Sequence, residues 1–312
     1  MNKNKTQTIL RETKSRNLIV SLLFIFSLNL QAVSAESDCP PPGLISDFGL
    51  SVLEKAPRGE KFSYGEDPLQ FGELYLPQGK GPFPVVVMIH GGCWLAQFDQ
   101  AHMREFAVAL RDEGYAVWNL EYRRVGNPGG AWPGTFLDIA NGTDYLRELA
   151  RKHPLDLDQV VPVGHSAGGH LALWLAARAK LSSKSDLYLA NPLPLKRVLA
   201  MAPGTDIRLV TKTKMCGSVM NKLMGGTPAQ VPERYKDASP ISNIPLGTPH
   251  TILVGDLDGY EVFGRSYFYS ATDAGDNQID LVSAPESGHF EMIDPKSSTW
   301  PIVLEAVKAQ FK

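Results

Sequence analysis

Cysteine is scarce. Three occur in 312 residues, Cys39, Cys93 and Cys216, too few for the disulfide framework of a small secreted scaffold. There is no surplus of positive charge. Thirty-one Lys and Arg stand against 33 Asp and Glu, which excludes the basic stripe of a nucleic-acid partner. Charged residues make up 21% and hydrophobic residues 43%, so the composition is not that of a disordered chain. Internal repeats and low-complexity linkers are missing. The apolar run from Leu18 to Leu30 is about 13 residues, short of the roughly 20 a membrane-spanning helix needs.

That run sits in a recognisable setting. Lys3, Lys5, Arg11, Lys14 and Arg16 precede it, and Val33-Ser34-Ala35 follows with small residues at the −3 and −1 positions. This is the layout of a secretory signal. Residues 1–35 are therefore expected to be removed after Ala35, leaving a secreted or periplasmic protein with no stable membrane insertion. Loss of five Lys/Arg and one Glu shifts the net charge from −2 to −6. An exported chain can hold a disulfide. Cys93 lies inside a motif described below and reads as a buried free thiol, which leaves Cys39 with Cys216 as the available pair.

Residues 36–312 read as a single α/β domain. Strands are expected at 71–76, 85–89, 115–122, 160–163, 198–201, 251–254 and 279–282. Helices are expected at 101–113, 138–152, 167–180 and 302–311. Strands alternating with helices imply a mostly parallel sheet covered on both faces. The continuous β-branched stretch Val85-Val86-Val87-Met88-Ile89 fits a strand buried on both sides. Residues 204–248 lack a clear strand and carry several Pro and Gly, so they read as a lid or cap inserted over the active-site edge.

Gly164-His165-Ser166-Ala167-Gly168 fits the G-x-S-x-G nucleophile elbow. Chance alone gives roughly 0.1 matches in such a chain at ordinary Gly and Ser frequencies, so context decides. The motif follows a short apolar strand and opens a helix, as the elbow requires. Serine needs a base, and the chain order for this architecture is Ser, acid, His. Of the two histidines far enough downstream, His250 belongs to a strand entry. His289, in Ser287-Gly288-His289-Phe290, follows a strand, where functional groups gather in open sheets. The acid is Asp258 or Asp256 in Gly255-Asp256-Leu257-Asp258. Asp258 is favoured because it lies farther beyond the strand end, where the loop can turn back toward His289. His90-Gly91-Gly92-Cys93-Trp94 directly follows the 85–89 strand and matches an oxyanion loop. Gly91, Gly92 and Cys93 with Ala167 are the candidate oxyanion-hole residues.

Taken together these blocks resemble the α/β-hydrolase enzymes that include bacterial kynurenine formamidases and the BD-FAE (bacteroidetes feruloyl-esterase-like) esterases. The resemblance covers most of 62–311. It runs through Tyr64-Gly65 with Gln70, Leu74-Tyr75-Leu76-Pro77, the H-G-G-x-W loop at 90–94, Glu121-Tyr122-Arg123 with Pro133 and Asp138, the block 164–172, Ala238-Ser239-Pro240 and Gly288-His289-Phe290. It implies an α/β-hydrolase fold and a Ser166–His289–Asp258 triad, with no metal and no organic cofactor. The acid loop departs from the family by placing Gly259-Tyr260-Glu261 before Val262.

The expected function is serine hydrolysis of a carboxylic ester, with a small-molecule ester or amide as partner. Arylformamide hydrolysis and a secreted peptidase are the rivals, and a non-catalytic binding module is the rival of another class. Trp94, Trp132, Tyr260 and Phe290 either wall a pocket or anchor core and loops. Nothing in the sequence specifies an oligomeric state.

Overall fold

The β-branched run that marks a doubly buried strand forms β3 (Phe83–Ile89), at the heart of the sheet. In the computed structural model, Leu53 and residues 55–312 are described; the expected signal segment, its cleavage point and Cys39 lie outside them. Along β3 the side chains alternate between two cores. Val85, Val87 and Ile89 enter one, and Val86 and Met88 the other.

The other strands are β1 (Glu60–Ser63), β2 (Phe71–Tyr75), β4 (Ala116–Leu120), β5 (Leu155–His165), β6 (Val198–Met201), β7 (His250–Gly255) and β8 (Ile279–Ala284). They form an eight-stranded sheet among the described residues, in the order β1-β2-β4-β3-β5-β6-β7-β8. From β4 to β8 every pairing is parallel; β1 and β2 add an antiparallel edge. This is the α/β-hydrolase fold. Helices α1 (Arg104–Asp112) and α9 (Trp300–Ala309) cover one face, contributing Phe106, Leu110, Val303 and Val307. Helices α2 (Gly134–Asp144), α4 (Ala167–Ala177) and α8 (Glu261–Asp273) cover the other, with Phe136, Trp174 and Phe263. A short helix, α3 (Leu146–Leu149), follows α2.

Several expectations shift for identifiable reasons. Strand β5 runs well beyond the expected 160–163, because its first half is only partly buried and carries Asp156 and Asp158. The register irregularity between Pro84 and Val85 falls where that half joins the buried half. Helix α2 starts four residues early, directly after Pro133, whose missing N–H costs nothing at a helix start. Helix α8 was not expected at all. Its aromatics and Gly264 are weak helix formers, yet Phe263, Gly264, Tyr267 and Ala271 make one buried stripe.

The 204–248 segment holds no strand. It folds into α5 (Ile207–Thr213), α6 (Val219–Met224) and α7 (Pro232–Ala238). Val210, Met220, Leu223 and Tyr235 bury themselves in the main core. Backbone carbonyls of this segment also accept from the scaffold: Ala238 O from His170 at 2.8 Å, Asp237 O from Trp174 Nε1 at 3.1 Å and Leu223 O from Trp132 N at 2.8 Å. The segment is packed into the fold rather than loose on its surface.

Truncating Ile252, fully buried in β7, to Ala should cost about 2–5 kcal/mol in urea unfolding. Val262→Ala, at a residue 53% exposed, should change stability by less than about 0.5 kcal/mol. Equal costs would contradict this account of the core.

Candidate active site

Strand β5 ends at His165 and α4 begins at Ala167, so Ser166 alone makes the turn. It does so with φ +56° and ψ −119°, a region that costs a non-glycine residue about 1–3 kcal/mol. Two backbone bonds hold it there. Ser166 N donates to Met201 O at 2.8 Å, and Ser166 O accepts from His170 N at 3.1 Å. Glycine is needed around the turn because chain meets chain directly. A Cβ on Gly168 would lie 2.0 Å from Ile89 O, and one on Gly91 would lie 2.9 Å from His165 O and 3.0 Å from Ser166 Cβ. The loop after β3 is thereby pressed against the elbow.

His289 lies in the loop after β8, beside the elbow. Its carbonyl accepts from His165 Nε2 at 2.8 Å, and the two imidazole centroids are 4.5 Å apart. Its Nδ1 is 2.9 Å from Asp258 Oδ2, in the loop after β7. The Asp258 side chain is 1% exposed, and its second oxygen accepts from Tyr260 N at 2.9 Å. Tyr260 stacks on the His289 ring at 4.4 Å and 28°, and Phe290 meets that ring edge-on at 5.0 Å. The imidazole is thus held on several sides. Its Nε2 has no hydrogen-bond partner among the described residues. Asp256 is elsewhere: it pairs with Arg265 at 3.0 Å on the surface. His250 is buried at the start of β7, with Nδ1 2.9 Å from Thr248 O.

Gly92, Cys93 and Trp94 all have positive φ, +106°, +50° and +55°. Three consecutive left-handed residues curl the loop tightly after β3. The backbone N–H groups of Gly92, Cys93 and Ala167 find no acceptor among the described residues. Gly91 serves as the strut against the elbow.

Cys93 is not a free thiol. It is bonded to Cys216, with Cα atoms 5.6 Å apart, and this corrects both the free-thiol reading and the Cys39–Cys216 pairing. The residue spacing held no signal for the pairing, because three cysteines allow any one of them to be left over. A ring spanning 123 residues contributes on the order of 4–5 kcal/mol in the chain-entropy picture.

Beneath the loop lies a buried polar network whose members are scattered along the chain and meet only in the folded structure. His90 Nδ1 is 2.8 Å from Gly91 O, so this nitrogen donates, while Nε2 faces Glu121 at 3.3 Å and Arg124 at 3.1 Å. Glu121 pairs with Arg124 and accepts from Tyr122 N at 2.7 Å. Burial raises the Glu121 pKa, but His90 and Arg124 outweigh it and hold the carboxyl below its usual range. Tyr122 donates to His90 O at 2.9 Å and Tyr64 to Glu121 O at 2.8 Å. Asp138 gathers Gln70 at 2.7 Å and Arg123 at 2.8 Å. These motif residues bolt the loops after β3 and β4 together and stay clear of the elbow.

Of the four aromatic candidates, Trp94 and Tyr260 line a small cavity with Ser166 and Ala167. Trp132 packs on Phe136 at 5.7 Å and donates to Asp186 at 3.1 Å. Phe290 packs on His165 and His289.

An elbow serine at the end of a central parallel strand, with a histidine–carboxylate pair from the loops after β7 and β8, is the arrangement of an α/β-hydrolase. The chain belongs to the BD-FAE family, whose model matches residues 73–262. It is 24% identical over 248 residues to Esterase LipC of Mycobacterium tuberculosis, covering 74% of this chain and 59% of that protein. It is 27% identical over 146 residues to the probable isoprenylcysteine alpha-carbonyl methylesterase ICME of Oryza sativa, covering 46% of this chain and 34% of that protein. The chain therefore spans less than two thirds of either relative. Among solved structures, an inhibited Esterase B from Lactobacillus rhamnosis superposes with a TM-score of 0.73 at 22% identity, over 85% of this chain and 90% of that one.

Burial lowers the pKa of His102 to about 3 and of His170 to about 4. In the unfolded chain both protonate near pH 6.5. Unfolding therefore takes up protons below that pH, and stability should fall as pH drops from 6.5 toward 4. Melting temperatures across that range check this; a flat profile would contradict it.

Proposed function

We propose that the protein is a carboxylic-ester hydrolase working through an acyl-enzyme, with Ser166 as nucleophile, His289 as base and Asp258 as the carboxylate that orients it. The observation that carries this reading is the buried Asp258–His289 hydrogen bond of 2.9 Å, set beside a serine in the strained elbow conformation. Membership of the BD-FAE family and the esterase names of its relatives support the ester as substrate.

The chemistry follows from which nitrogen is occupied. With Nδ1–H donated to Asp258, Nε2 is the basic nitrogen and takes the proton from the Ser166 hydroxyl. Oγ bonds to the acyl carbon, and the carbonyl electron pair moves to oxygen. The N–H groups of Gly92, Cys93 and Ala167 receive that oxyanion, and the N-terminus of α4 adds its positive end. Collapse of the adduct breaks the bond to the leaving alcohol, which takes the proton from Nε2. Water then repeats the sequence on the acyl-enzyme and releases the acid. None of these steps calls on a metal or organic cofactor. Export with loss of residues 1–35 is part of the same proposal. The signal-like N-terminus and the Cys93–Cys216 bridge support it, since such bonds persist in oxidising compartments.

On p-nitrophenyl acetate, Ser166→Ala should abolish turnover, and Asp258→Asn should lower kcat by about 10³–10⁴. Asp256→Asn should stay within about threefold of the parent, because its partner is a surface arginine. Full activity in Ser166→Ala, or equal losses in the two Asp variants, would overturn the assignment.

A further inference from the structure

The strongest unassigned feature is a covalent tie across the mouth of the site. Cys216 lies between α5 and α6 of the cap, and it lines the same cavity as Ser166, Ala167, Trp94, Val210 and Tyr260. Its bonded partner, Cys93, is in the curled loop after β3. The free space there is about 10 Å³, on the order of one water molecule.

The lining of the cavity has two chemically distinct parts. Tyr260 covers His289, whose Nε2 protonates the leaving alcohol. Trp94 lies next to the N–H groups of Gly92, Cys93 and Ala167 that receive the oxyanion. Trp94, Val210 and Cys216 line the cavity beside Ser166, where the acyl substituent of an ester attacked by Ser166 would lie.

The bridge decides how closed that part is. Hydrogen bonds that hold the cap run from Leu223 to Trp132 and from Asp237 and Ala238 to α4, away from the α5–α6 loop. In that loop Lys214, Gly217 and Ser218 are exposed, as are Lys212 and Thr213 at the end of α5. Met215 packs against the main core, and the cystine is the covalent tie between this loop and the oxyanion loop.

Building on the esterase reading, we propose that the Cys93–Cys216 disulfide is the specificity-determining wall of the acyl pocket, restricting the enzyme to esters of acetyl-sized acids. Both cysteines are half-buried, so a soluble thiol reaches the bond. Reduction converts the bridge to two thiols as dithiothreitol closes into its cyclic disulfide, and the loop is then free to move outward.

The test compares kcat/KM on p-nitrophenyl acetate, butyrate and octanoate for the parent, for Cys216→Ala, and for parent reduced with dithiothreitol. Complete reduction is verified by alkylation and mass. The parent should favour acetate over octanoate by at least about tenfold, the scale on which a pocket rejects extra methylenes. In Cys216→Ala or the reduced parent, the octanoate-to-acetate ratio should rise about tenfold, through a lower KM for octanoate. A general loss of structure would lower all three substrates together and leave the ratio unmoved. If reduced parent and variant both keep the parent ratio, or if the parent already cleaves octanoate as well as acetate, this proposal fails while the esterase reading stands. No hydrolysis of any of the three esters by the parent would sink the esterase reading itself.

Discussion

The site depends on one steric constraint: two stretches of backbone, at the ends of adjacent parallel strands, touch without side chains between them. Gly91 meets the elbow and Gly168 meets the carbonyls of Ile89 and His90 at distances that leave no room for a Cβ. That contact brings the free N–H groups after β3 to the same place as the first N–H of α4. It also holds Ser166 in its left-handed turn, whose strain is offset by the bonds to Met201 and His170. Without it the elbow would relax and the donors would separate.

The rest of the architecture serves this junction. The Glu121–Arg124–His90 cluster fixes the loop after β3 from below. The cystine ties it to the 204–248 segment. On the far side, parallel pairing of β7 and β8 sets the loops carrying Asp258 and His289 next to each other. Residues 31 positions apart thereby form a 2.9 Å bond.

Much of this was legible in the sequence, and the reasons are local. The β3 run, the elbow glycines and the H-G-G-x-W loop each carry their geometry in a few consecutive residues. The pairing of Asp258 with His289 was open to sequence reasoning because each residue follows a strand end, where functional groups gather in open sheets. What stayed hidden depended on contacts between distant segments. The Cys93–Cys216 pairing needs the 204–248 segment to reach the loop after β3, which no spacing reveals. The roles of Gln70, Glu121, Arg123 and Asp138 as buried scaffolding appear only once β2, β4 and α2 are assembled. Helix α8 was masked by aromatic residues of poor helix propensity, although its buried stripe has helical spacing.

The central claim is that Ser166 is made reactive by its surroundings. Incubating the protein with a fluorophosphonate and mapping the adduct by peptide mass spectrometry tests it most directly. The account predicts a single stoichiometric phosphonyl group on the peptide carrying Ser166, lost when His289 is replaced by Ala. An unlabelled Ser166 in folded protein, or equal labelling of the His289→Ala variant, would contradict it.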